Sequence, residues 1–148
     1  MKQSSEQLLL DTNVVLHAVR DSSLWRRIDA VFHLRHASHT ALISAVTVGE
    51  CLAMAKRNGW GVRKQEFLEK LLRQLVILDI NREPILRAYA ELHQRRIERS
   101  RERTPGQNDL WIAATARATR ARLLTTDRDF DIFSPDLIQR DFFDPRSA

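Results

Sequence analysis

The stretch LLLDTNVVL, residues 8–16, sets a single acidic side chain between two aliphatic blocks. Apolar residues in succession, rather than alternating with polar ones, mark a strand covered on both faces, so 7–11 reads as a buried strand. TALISAV supplies a second strand near 40–44, LVILDI a third at 75–80, RLLTT a fourth at 122–126, and DLIQRD a weaker fifth at 136–141. Between the strands the apolar spacing turns helical. Thr12 or Asn13 can cap a helix over 14–20, and Asp21-Ser22-Ser23 separates it from another over 24–36. Ser44 stands where an N-cap belongs, for a helix through Arg57 that stops at Asn58-Gly59. Val62, Phe67, Leu68, Leu71, Leu72 and Leu75 give a helix over 62–74, and Pro84 opens a long one toward Arg99. After the break at residues 104–108, Asn108 or Asp109 starts a helix that runs to about Arg120.

Strands alternating with helices predict a three-layer α/β/α domain around a central parallel sheet of four to five strands. With no linker, repeat or low-complexity segment, residues 1–148 read as one domain. Sites in such sheets form beyond the carboxyl ends of the strands, near a topological switch point. Asp11 follows the first strand and Asp127 the fourth, so both should emerge at that edge. Glu50 lies about two turns into the helix after the second strand and can hang over it. Asp109 is harder to place. A helix preceding a strand is expected to start away from the carboxyl edge, so Asp109 arrives only if residues 104–108 carry the chain back over the top.

Each acid has a plainer reading alone: Asp11 and Asp109 as helix caps, Asp127 as a turn residue, Glu50 as a solvated helix residue. Together at strand ends they point elsewhere. Four carboxylates in one crevice repel each other unless a cation joins them. An all-oxygen set with few histidines nearby favours Mg²⁺ or Mn²⁺ over zinc, and metal-assisted displacement at phosphorus is the chemistry that suits it.

Charge sharpens this picture. The chain carries 24 basic and 19 acidic residues, net +5. Setting the four acids aside leaves 15 acidic against 24 basic, a strongly basic surround for an acidic pit. A single cysteine, Cys51, excludes an internal disulfide framework and fits a reducing, cytoplasmic setting. No apolar run approaches the about 20 residues of a membrane span, so a soluble, unexported protein is expected.

LLLDTNVVL, Glu50 in SAVTVGE, NDLWIAATA at 108–116 and LLTTDRDF at 123–130 together resemble the PIN-domain family, in particular the VapC-like toxin ribonucleases of toxin–antitoxin modules. The order and spacing of these motifs match over about 7–141. The resemblance implies an endoribonuclease dependent on Mg²⁺ or Mn²⁺ that leaves a 5′-phosphate and a 3′-hydroxyl. It implies that Asp11, Asp109 and Asp127 are metal ligands and that Asp109 does reach the site. Glu50 would be a ligand directly or through water. Thr12 and Thr125 would orient carboxylates or water, Asn13 would support the turn, and Asp129 would join as an outer acid. Implied partners are RNA, single-stranded or looped as in tRNA, a cognate antitoxin and a second copy of the chain.

In HQRRIERSRERTP a continuous helix would stack Arg95, Arg99 and Arg103 at i, i+4, with Glu98 and Glu102 on another face, as a grip for RNA phosphates. A solvated helix end is the bland alternative. His33, His36 and His39 recur every third residue but lack a cysteine and straddle a helix end, which favours surface histidines over zinc. Cys51 is expected in the core. Among the tryptophans, Trp25, Trp60 and Trp111 read as core or interface, with Trp60 between Gly59 and Gly61 the candidate for partner contact. A haloacid-dehalogenase-like phosphohydrolase also has an Asp after its first strand, but needs a second two residues on, where Asn13 stands. A receiver-type phosphoacceptor is poorly served by LDIN at 78–81. A non-catalytic RNA-binding module on the same fold would not call for four carboxylates.

Overall fold

A computed structural model describes residues 6–34 and 41–146. The chain runs β1 (Leu8–Leu10), α1 (Thr12–Arg20), α2 (Ser23–Phe32), β2 (Leu42–Ser44), α3 (Ala45–Arg57), α4 (Val62–Arg73) and β3 (Val76–Leu78). It continues through α5 (Glu83–Glu98), α6 (Gln107–Thr119), β4 (Arg122–Thr125), a 3₁₀ helix (Arg128–Phe133) and β5 (Gln139–Phe142). The five strands form one parallel sheet in the order β3-β2-β1-β4-β5. The three-layer α/β/α expectation holds.

The unbroken Leu8-Leu9-Leu10 run has a direct cause. Leu8 and Leu10 enter one core with Val14, Val15, Trp25, Ile28, Ile43, Cys51 and Leu68. Leu9 enters the other, with Ile85, Leu92, Leu110, Ile112, Leu123 and Phe133. Alternate side chains of β1 thus feed opposite layers, and both layers are apolar.

Because the chain lays β2 and β3 on one side of β1 and β4 and β5 on the other, the switch point falls between β1 and β4. Leu8, Leu9 and Leu10 register against Arg122, Leu123 and Leu124, and the Asp11 amide donates to the Leu124 carbonyl at 3.0 Å. The residues following these two strands are therefore neighbours. The place that fold rules reserve for ligands is here bounded by Asp11 and Asp127.

Asp109 reaches the same edge, and the expectation about its helix is corrected. A helix feeding the amino end of a parallel strand runs opposite to that strand, so it begins at the carboxyl edge. Pro84 and Arg87 at the start of α5 share a cleft with Arg117 and Arg120 at the end of α6. The two helices are thus antiparallel, and the start of α6 lies with the end of α5. No doubling back by residues 104–108 is needed.

Several boundaries differ from the sequence reading. Helix α2 ends at Phe32, because His33 takes a left-handed conformation (φ 55°) and donates its amide to the Asp29 carbonyl; His36 and His39 lie outside the described residues. Ser44 does cap α3, accepting from the Val46 amide at 3.0 Å. Gly106, rather than Asn108 or Asp109, is the N-cap of α6. Strand β5 starts later than expected, at Gln139. Trp60 is not a free loop residue: it is 8% exposed and packs in the first core, with the Lys64 ammonium 4.1 Å from its ring centroid. Among the described residues, no helix is long and apolar enough to cross a membrane.

Candidate active site

Asp11 leaves β1 in extended conformation and becomes the N-cap of α1. Its Oδ1 accepts from the Thr12 amide at 2.8 Å and its Oδ2 from the Thr125 hydroxyl at 2.7 Å. The residue is only 2% exposed. Burial pushes its carboxyl up to about 6 against the pull of those two hydrogen bonds, with Asp127 and Glu50 adding to the rise.

Thr125 links the two central strand ends. Besides donating to Asp11, its Oγ1 accepts from the Asp127 amide at 3.0 Å. Asp127 then caps the 3₁₀ helix, accepting from the Asp129 amide at 2.8 Å. This turn sets the Asp129 carboxylate beside those of Asp127 and Asp109. Burial, then the charge of Asp129, holds the Asp127 carboxyl above its ordinary range. In Thr125→Val the buried Asp11 carboxylate loses a donor and the Asp127 amide an acceptor. The expected cost near neutral pH is about 2 kcal/mol, read from the midpoint of urea unfolding.

Glu50 arrives from α3. Its Oε1 accepts from the Thr12 hydroxyl at 2.6 Å, and that hydroxyl also lies 3.1 Å from Thr47 Oγ1. Its Oε2 accepts from the Asn108 side-chain amide at 3.2 Å. Asn108, read in the sequence as a helix start, therefore ties α6 to α3. Asp109 follows it in the first turn of α6, half-buried. Desolvation lifts its carboxyl to about 7, with Asp11, Asp127, Glu50 and Asp129 all pushing in the same direction.

Asp11, Thr12, Glu50, Asn108, Asp109 and Asp127 line one cleft of about 570 Å³ together with Asn13, Leu16, Ala53, Met54 and Arg57. Asp11, Glu50, Asp109 and Asp127, the four acids expected at the strand ends, all border it. Asn13 is exposed there, while the turn itself is capped by Asp11. The tightest group is different in one member. One carboxylate oxygen from each of Asp109, Asp127 and Asp129 lies within 4.8 Å of the others. The donors are all oxygen, a set suited to a hard divalent cation.

The arginine ladder does not form as expected. Helix α5 stops at Glu98 and Arg99 is its C-cap. Arg95 donates to the Ile132 carbonyl at 2.9 Å and to Asp136 at 2.5 Å. Arg99 donates to Ile132 at 3.3 Å and to Glu102 at 2.6 Å, so Glu102 folds onto the arginine it was to avoid. Both fasten the chain to the 3₁₀ helix. Arg103 alone of the three faces the acids, donating to Asp129 and lying 3.7 Å from Asp127. Cys51 is fully buried, and burial first, then Glu50, raises its thiol to about 12, consistent with packing rather than reactivity.

No curated protein sequence matches the chain. Solved structures do. VapBC2 from Rickettsia felis, bound to a promoter DNA fragment, is similar at a TM-score of 0.75 and 23% identity, covering 93% of this chain and 98% of that one. DNA-bound VapBC from Salmonella typhimurium gives 0.71 and 17%, over 93% and 98%. VapBC-5 from Mycobacterium tuberculosis, of the VapBC family of toxin–antitoxin systems, gives 0.65 and 22%, also over 93% and 98%. At such identities the likeness is one of fold. The PIN domain family model matches residues 8–134, spanning every acid of the cleft. The chain belongs to the PIN-domain family.

Proposed function

We propose that the protein is an endoribonuclease dependent on Mg²⁺ or Mn²⁺, and the toxin of a toxin–antitoxin pair. The observation that carries this reading is the convergence of Asp109, Asp127 and Asp129 within 4.8 Å, in a cleft also bordered by Asp11 and Glu50. Burial first, then the neighbouring acids, lifts Asp11 and Asp109 to about 6 and about 7, and such perturbed carboxyls in a cleft support the reading of a functional site. Asp11, Asp109 and Asp127 would hold the ion, with Glu50 directly or through water, and Asp129 joining them. The chemistry a divalent ion supplies in such a site is activation of water and neutralisation of charge on the departing oxygen.

The chain's own groups have definable parts. Thr125 and the Thr12 amide keep Asp11 fixed and ionised, and Thr12 with Asn108 aims Glu50. The substrate is an RNA strand or loop, such as that of a tRNA, and the setting is the cytoplasm. A cognate antitoxin and a second copy of the chain are the proposed protein partners. Apolar exposure at Leu52, Val62, Phe67, Val76 and Ile77, along α3, α4 and the edge strand β3, supports a protein-binding face.

The test is incubation of purified protein with end-labelled single-stranded RNA in Mg²⁺, Mn²⁺ or EDTA. Cleavage in either metal, abolished by EDTA and leaving 5′-phosphate ends, is the expected result. RNA binding that is sensitive to salt, unaffected by Mg²⁺ and without cleavage would mean a binding module instead.

A further inference from the structure

An RNA strand entering this cleft brings phosphates toward a cluster of carboxylates. Its approach needs cations that those acids do not already hold. The arginines differ sharply in this respect. Arg95 and Arg99 are committed to Ile132, Asp136 and Glu102. Arg103 is paired with Asp129 and stands near Asp127.

Arg57 is in another state. It lines the cleft and is exposed. Among the described residues it has no carboxylate partner: its Nη2 lies 3.2 Å from the Met54 sulfur, a weak acceptor. Helix geometry explains the placement. Arg57 follows Glu50 by seven residues on α3, two turns along the same face and about 10 Å further down the axis. Ala53 and Met54, which lie between them, also border the cleft, so this wall is continuous from the acid to the guanidinium.

We propose that Arg57 anchors a phosphate of the bound RNA strand outside the acid cluster, about two helix turns from Glu50. This rests on the nuclease reading above. A guanidinium pairs bidentately with phosphate oxygens. Contacts of that kind fix the position of a strand without reading its bases, so loss of Arg57 weakens different sequences alike.

The experiment measures binding of a fluorescein-labelled, mixed-sequence single-stranded RNA in Mg²⁺ by anisotropy, across a salt series. The parent is Asp109→Asn protein, chosen to prevent cleavage. Adding Arg57→Gln is expected to weaken binding about fivefold at low salt and to make the log–log salt slope shallower by about 0.7, the value of one phosphate contact on a single strand. Arg57→Lys, which keeps the charge, should hold most of the slope. Arg73→Gln is the control: Arg73 is exposed at the end of α4, just before β3 begins, and so lies at the opposite edge of the sheet. Its loss should leave the slope unchanged.

An unchanged slope in the Arg57→Gln variant, or an equal loss in Arg73→Gln, overturns the assignment. If wild type cuts RNA and the parent binds it, that failure touches Arg57 alone. If neither happens, the nuclease reading falls and this inference with it.

Discussion

Asp109→Asn is expected to lower RNA cleavage by more than about 100-fold while making the metal-free protein more stable. The activity loss follows from position. Asp109 supplies one of three carboxylate oxygens within 4.8 Å of each other, and losing even an outer-shell partner of a metal ligand commonly costs about 10–100-fold. The stability gain follows from repulsion: Asp11, Asp127, Glu50 and Asp129 all disfavour charge on Asp109, and burial disfavours it most. An amide of the same shape removes that cost. In EDTA near neutral pH the variant should gain about 1–2 kcal/mol, or roughly 3–6 °C in melting temperature for a chain of this size. A labelled-RNA gel assay and thermal unfolding in EDTA check the two halves. A variant that loses activity together with stability would instead mark Asp109 as a structural residue.

A pH series should show an unusual slope. Folding raises Asp11 and Asp109 from 3.8 to about 6 and about 7. Between those limits the native state binds more protons than the unfolded chain, so stability falls as pH rises from about 4 to about 7. The size is on the order of 3 kcal/mol, allowing for the partial exposure of Asp109 to solvent. Exposed acids held low by arginines, Asp136 by Arg95 and Glu102 by Arg99, act in the opposite direction but only below about pH 4. A divalent ion at about 100 times its Kd adds about 2.7 kcal/mol, so the slope should flatten in Mn²⁺. Urea midpoints measured from acid to neutral pH, with EDTA and with Mn²⁺, give both curves. Stability that climbs through this window in EDTA would contradict the burial of charge on which the site's account depends.

Much of this architecture was legible in the order of residues. Consecutive leucines in β1 announced two buried faces, and Ser44 and Asn58-Gly59 marked the ends of α3. The acids that follow the strands point to the carboxyl edge by chain order alone. What escaped did so for physical reasons. The 3₁₀ helix after Asp127 depends on an Asp side chain accepting from the amide two residues on, and on Phe130, Ile132 and Phe133 finding a core that only tertiary structure supplies. Without that turn Asp129 cannot be placed beside Asp109 and Asp127. The arginine run from 95 to 103 has good helix propensity throughout. Contacts with the distant Ile132 carbonyl and the return of Glu102 onto Arg99 accompany its early end. Asp109 stands at the carboxyl edge because its helix runs opposite to the strand it feeds, a direction that chain order alone decides. Arg57 carried a usable signal, its seven-residue distance from Glu50, but spacing does not reveal which arginines are already paired.

The most direct measurement is a Mn²⁺ titration of metal-depleted protein, followed by electron paramagnetic resonance of the unbound ion, for wild type and Asp109→Asn. Wild type should take up Mn²⁺ and the variant should bind it at least about tenfold more weakly. Equal uptake by both, or none by wild type, would show that these carboxylates are not assembled around a cation.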